Sequence, residues 1–60
     1  MLLRIERYLR TTRMAPTRFG RDALGDPRLV FDLRDGRELR AGTVAKLVAY
    51  LDRVEAKERP

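Results

Sequence analysis

The sequence contains no cysteine and no histidine, and these two absences exclude many kinds of chemistry. Without cysteine there is no disulfide, no thiolate zinc site and no cysteine nucleophile. Without histidine there is no imidazole base and no imidazole metal ligand. A chain of 60 residues is also near the lower size limit for a domain that folds alone. We therefore expect a single domain over residues 1–60, stabilised by a compact apolar core and without a large enzyme pocket.

Long apolar runs are also missing. In residues 1–14 a charged side chain recurs every few positions, and neither a signal peptide nor a membrane span tolerates that pattern. The sequence therefore predicts a cytoplasmic protein with no membrane partner.

Acidic residues are scarce at the amino-terminal end of the chain. The formal net charge is +5, and residues 1–21 contain six arginines but only one acid. Residues 22–40 contain four arginines and five acids, so the positive excess lies in the first third of the chain. A basic chain is typical of nucleic-acid binders. Because GC-rich coding also favours arginine, the distribution of charge is more informative than its total.

The spacing of apolar residues predicts helices. Leu2, Ile5 and Leu9 define a first helix over 2–12, with arginines recurring every three residues on another face. Pro16 is suited to a first helical position and predicts a second helix over 16–24. A last helix over 43–57, capped by Thr43, has a continuous apolar stripe formed by Val44, Leu47, Val48, Leu51 and Val54.

The stretch GDPRLVFDLRDGREL, residues 25–39, is compatible with two structures. Asp35-Gly36 between apolar runs is typical of a β-hairpin turn. Asp26-Pro27 is instead typical of a helix start, and Gly36 of a position just past a helix end. The second arm of a hairpin would contain a single apolar residue, Leu39, so the pattern favours a helix over 27–35.

Several of these features occur together in a known order. Phe19-Gly20 is an apolar residue followed by a small one, and Val30 and Leu33 lie six and three positions before Gly36. The segment TVAKLVAYL follows after a short polar loop. This arrangement resembles the helix-turn-helix of phage-repressor-like (Cro or Xre-type) DNA-binding domains, and it covers most of the chain after residue 18.

The resemblance implies an all-α, compact four-to-five-helix bundle of the lambda-repressor type that contains a helix-turn-helix. Its recognition helix, residues 27–35, would lie in the major groove of double-stranded DNA. The side chains that point away from the apolar face are the candidates for base contacts, namely Arg28, Phe31, Asp32 and Asp35. Candidates for contacts to the DNA backbone flank them in sequence: Thr17, Arg18, Arg21, Arg34, Arg37 and Arg40.

The expected function is sequence-specific DNA binding by a repressor-like transcriptional regulator. A module of this size buries little surface against DNA, so a homodimer on a two-fold operator is expected. The protein would then associate with the nucleoid when bound to DNA. No metal, cofactor or small-molecule ligand is expected. Because the acids are dispersed and no nucleophile lies beside a base, the sequence does not predict an enzyme.

Two other functions stay open. A small helical protein-interaction module, either an adaptor or an antitoxin-like partner, would expose Phe31 and Leu39 to another protein. The slightly acidic balance of residues 22–40 favours this alternative. The amino-terminal arginines would also suit nucleic-acid binding that is indifferent to sequence.

Overall fold

The chain folds into four helices. A computed structural model describes residues 1–58, apart from the side chain of Glu58. The helices are α1 (Leu2–Thr12), α2 (Pro16–Leu24), α3 (Leu29–Arg34) and α4 (Ala41–Glu58), and the described residues form no strand. α2 packs against α3 and α4, and α1 packs against α3. The predicted all-α bundle is therefore confirmed.

The loop between α1 and α2 is formed by two restricted backbone positions. Arg13 ends α1 in the left-handed region, with φ of 58°. This conformation lets the Met14 N–H donate to the carbonyl of Leu9 at 3.2 Å, as in other helix ends of this type. Pro16 is the first residue of α2, where its missing N–H costs no hydrogen bond.

α3 is shorter than the helix predicted over 27–35. It begins at Leu29, because the Asp26 carboxylate accepts the N–H of Arg28 at 3.0 Å and holds residues 27 and 28 in a turn. Asp26-Pro27 therefore does not begin the helix as expected, because Arg28 holds the cap position without a side-chain cap hydrogen bond and the helix starts two residues later. Gly36 follows α3 with φ of 97°, which favours glycine. The hairpin alternative for residues 25–39 is excluded.

α4 begins earlier than predicted. Its first turn is closed by the Val44 N–H, which donates to the carbonyl of Arg40 at 2.9 Å, so the helix starts at Ala41. Thr43 consequently lies inside the first turn, and its predicted role as the cap is wrong. The apolar stripe of α4 is correctly predicted at its centre, because Leu47 and Leu51 are fully buried.

The core is centred on the ring of Phe19. This ring lies between Tyr8 and Tyr50, with ring centroids 5.8 Å and 5.7 Å away. Among the described residues, no polar or charged residue is buried. The buried residues come from all four helices: Ile5, Tyr8, Leu9, Phe19, Leu29, Val30, Leu47 and Leu51. The fold thus depends on one apolar cluster to which each helix contributes.

Candidate functional site

α2 and α3 are joined by a tight turn that brings them into close contact. Gly25 has φ of 68°, and its N–H donates to the carbonyl of Arg21 at 2.9 Å. The next amide, of Asp26, donates to the carbonyl of Gly20 at 3.1 Å. A Cβ placed on Gly20 would overlap the carbonyl oxygen of Asp26 and lie 3.1 Å from the Cβ of Leu29. The absence of a side chain at position 20 therefore sets how closely α3 approaches α2.

Arg37 pairs with one acid before α3 and with one acid within it. Its Nη1 lies 3.0 Å from the Asp26 carboxylate, before the helix, and 3.1 Å from the Asp32 carboxylate within it. The hydrogen bond from Arg37, together with the Arg28 N–H, holds the pKa of Asp26 below its ordinary value. The same bond to Asp26 raises the pKa of Arg37. Two predicted DNA contacts, Asp32 and Arg37, are therefore paired with each other inside the chain.

Arg34 links α3 to α1. Its guanidinium donates from Nε and Nη2 to the two carboxylate oxygens of Glu6, at 2.9 Å and 2.7 Å. This two-point geometry is the strongest that a guanidinium and a carboxylate form. It lowers the pKa of Glu6 and raises that of Arg34. The guanidinium carbon also lies 5.7 Å from the centroid of the Phe31 ring. The guanidinium of Arg34 therefore contacts two groups, the carboxylate of Glu6 and the exposed ring of Phe31, over which it lies.

The other predicted site residues lie at the surface. Arg28 precedes α3 and is exposed, and Phe31 is exposed over 44% of its surface. Asp35 follows α3 and is also exposed. Arg18 lies 3.5 Å from Asp22 in the next turn of α2. The remaining three, all exposed, are Thr17, Arg21 and Arg40. The structure thus leaves Arg28 exposed without an ion pair just before α3, and Phe31 exposed in the middle of α3 with the Arg34 guanidinium over its ring.

A groove between α1 and α3 was not predicted. It has a volume of about 480 Å³ and lies beside the Glu6–Arg34 pair. Its lining is Glu6, Leu9, Arg10, Met14, Pro16 and Arg34. The one available signal in the sequence was the recurrence of Arg4, Arg7 and Arg10, but these do not share one environment. Arg4 pairs with Asp52 and Glu55 of α4, whereas Arg10 lines the groove.

In the part of the chain that the structure describes, no three acidic side chains cluster as a metal site would require. No buried side-chain polar atom there lacks a hydrogen-bond partner. None of the described helices is both long and apolar enough to cross a membrane.

The ion pairs around α3 predict a modest acid sensitivity of the fold. The pKa of Glu6 and of Asp26 is lower in the folded chain than the ordinary values of 4.5 and 3.8. Their contribution is therefore present above those ordinary values and is lost as the pH falls through the lower folded values. Because both pairs are partly exposed, we expect a melting temperature only a few degrees lower at about pH 3 than at about pH 7.

Circular dichroism melts over this pH range measure the effect. In the double variant Glu6→Gln/Asp26→Asn, the loss of melting temperature on acidification should be smaller than in the wild type. Glu38→Gln is the control, because Glu38 is exposed and makes no ion pair among the described residues. Equal acid sensitivity of the double variant and the control would contradict a stabilising role for the two pairs.

Comparison of the chain with known proteins adds no relative. The chain matches no protein-family model, no curated protein and no solved structure.

Proposed function

We propose that the protein is a sequence-specific DNA-binding transcriptional regulator that acts as a repressor-like factor. In this proposal α2 and α3 form a helix-turn-helix, and α3 lies in the major groove of double-stranded DNA. The observation that carries the proposal is the contact at Gly20, where the turn carbonyl of Asp26 occupies the place of a side chain. Because α2 and α3 are held this closely, α3 would approach DNA in a fixed orientation relative to α2.

Two exposed side chains, one just before α3 and one within it, suit base edges. Arg28 lies immediately before the helix, and residues near the start of a recognition helix approach the base edges. Its guanidinium fits the O6 and N7 acceptors of guanine with two hydrogen bonds. Phe31, three residues later, offers an apolar ring for the methyl group of thymine. Since Arg37 engages Asp32, we assign base reading mainly to Arg28 and Phe31.

Backbone contacts would come from exposed cations on either side of α3. Arg21 and Arg40 make no ion pair with the residues that the structure describes, so both are available for phosphates. A single copy buries little DNA surface, and useful specificity therefore needs two copies on a two-fold operator. We propose a homodimer on DNA for this reason.

Selection of binding sites from a pool of random duplexes tests the proposed function. The expected result is one enriched motif with two-fold symmetry, bound with an affinity that falls as salt rises. Binding without an enriched motif would contradict sequence-specific regulation and favour nucleic-acid binding that is indifferent to sequence. Absence of binding at moderate salt would contradict both.

Arg28→Ala tests the assignment of base reading. We expect preference to relax at one base pair of the motif, with a cost of about 1 to 3 kcal/mol on the preferred duplex. The fold should be unaffected, because Arg28 is exposed and makes no ion pair with the described residues. Arg40→Ala is the matched control, since loss of a phosphate contact weakens binding to all sequences alike. A uniform loss with Arg28→Ala would argue against base reading.

A protein-interaction module is the second candidate function, and the surface of α3 gives it one specific observation. Phe31 is the single large apolar side chain of α3 that is exposed, and two acids, Asp32 and Asp35, follow it within four residues. Such a ring with acidic neighbours also suits a basic protein partner. Selection that recovers no duplex, together with a protein complex that Phe31→Ala abolishes, would favour this candidate.

A further inference from the structure

Three arginines lie along one side of α1 and just past its end. Arg7, Arg10 and Arg13, which we term the α1 arginine row, are all exposed. None of them makes an ion pair with any residue that the structure describes. Arg4, one turn before Arg7, differs because it is held by Asp52 and Glu55. The row is therefore a strip of exposed positive charge without ion pairs, in which Arg7 and Arg10 each act at longer range on one acid, Glu55 and Glu6.

The row lies next to α3. Arg10 lines the groove that Arg34 of α3 also lines. Both carboxylate oxygens of Glu6 accept hydrogen bonds from Arg34, so Arg10 acts on this carboxylate by charge alone. Two guanidinium groups and one carboxylate leave a net positive charge at the groove. At the other end of the row, Arg13 lies three residues before the first turn of α2.

Within the fold the row meets acids only at longer range, because Arg10 acts on Glu6 and Arg7 acts on Glu55 without forming an ion pair. Arg7 and Arg10 are like charges three residues apart on one helix, and such pairs repel each other. Arg13 has φ of 58°, a conformation that glycine and asparagine adopt more easily than arginine. The repulsion between Arg7 and Arg10 and the strained backbone at Arg13 are thus only partly offset within the chain. An external anion would offset this cost.

We propose that the α1 arginine row contacts the phosphate backbone of double-stranded DNA, as a second surface that acts independently of base sequence. This assignment rests on the proposed function and extends the DNA contact from α3 to α1. Guanidinium groups match the geometry of phosphates, and a row of three cations suits a polyanion better than a single carboxylate does. The row would add affinity and salt dependence, while α3 supplies the specificity.

A pair of charge-matched double variants tests the row. Arg7→Gln/Arg10→Gln removes two charges from α1, and Lys46→Gln/Lys57→Gln removes two exposed charges from α4. The dissociation constant of each is measured by fluorescence anisotropy between about 50 and 200 mM salt, on the selected duplex and on a scrambled one. The logarithm of the dissociation constant rises linearly with log salt, and this rise is the slope that we compare. Each lost phosphate contact lowers the slope by about 0.9.

We expect the α1 double variant to lower this slope by about 1.8 on both duplexes, and the α4 double variant to leave it near the wild-type value. Arg13→Asn, added to the α1 double variant, should lower the slope by about a further 0.9. Melting temperatures of the α1 variants should stay within a few degrees of the wild type, because the exposed arginines form no ion pair, and this separates loss of contact from loss of fold. Equal slopes in the α1 and α4 variants would overturn the assignment and leave the row as a solvated face.

The two duplexes separate failure of the row from failure of the proposed function. The ratio of affinities for selected and scrambled DNA reports base reading, and the slope reports phosphate contacts. If the ratio is one and the slope still falls in the α1 variant, the row stands and sequence-specific regulation does not. If the ratio is large and the slope is unchanged, the row is overturned while the function of α3 stands.

Discussion

Gly20→Ala is expected to destabilise the protein by at least about 2 kcal/mol, because the new methyl group has no room. It would overlap the carbonyl oxygen of Asp26, which is backbone and cannot rotate away as a side chain could. The turn between α2 and α3 would have to shift. In a domain of this size, such a loss lowers the melting temperature by about 8 to 16 °C. Thermal unfolding followed by circular dichroism measures it.

Gly42→Ala is the matched control for this substitution. Gly42 lies in the first turn of α4, and nothing stands within 4 Å of the position that its Cβ would take. Because alanine is a better helix former than glycine, this variant should be stabilised by up to about 1 kcal/mol. If both variants melted at the same temperature, the close approach of α3 to Gly20 would be disproved.

Val30→Asp should unfold the protein at room temperature. Val30 is fully buried, and the core formed by the described residues contains no charged group that could pair with a carboxylate. A charge placed there costs several kcal/mol, or the carboxyl is buried unpaired in its neutral form. A chain of 60 residues without disulfides or metal has only about 3 to 5 kcal/mol of stability to lose. The helical signal in circular dichroism should therefore collapse.

Leu3→Asp places the same charge on an exposed position and serves as the control. Leu3 is exposed over 86% of its surface, and the first turn of α1 contains no acid. An acid there interacts favourably with the amino-terminal end of the helix. This variant should stay folded. A folded Val30→Asp variant would show that α3 turns another face to the core, and the choice of Arg28 and Phe31 as outward residues would then be wrong.

Most of the helices could be predicted from local signals. Pro16, Gly25 and Gly36 mark ends that depend on the backbone of one residue, and apolar spacing identifies the buried faces. The starts of α3 and α4 were each wrong by two residues. These starts depend on which carbonyl or carboxylate accepts the first amides, such as the Asp26 carboxylate for Arg28. That choice is made by the packed structure and has no strict sequence signal.

The surroundings of α3 could not be predicted from the sequence. Arg34 pairs with Glu6, which lies 28 positions away in the chain, and Arg37 reaches back to Asp26. No helix spacing relates the two members of either pair, so the sequence presents Arg34 and Arg37 as solvent-exposed candidates for DNA. The same reason explains why Arg4 and Arg7, which look alike in sequence, differ in structure. Arg4 forms ion pairs with the acids of α4, whereas Arg7 acts on Glu55 only at longer range.

An NMR titration of the ¹⁵N-labelled protein with the selected duplex tests whether α3 reads the bases, because it locates the surface that contacts them. We expect the largest shifts specific to this duplex to fall on the amides of Arg28 to Asp32. A scrambled duplex should shift the amides near the α1 arginine row while leaving those of α3 much less affected. The same map of shifts with both duplexes, or largest shifts on α4, would contradict base reading by α3.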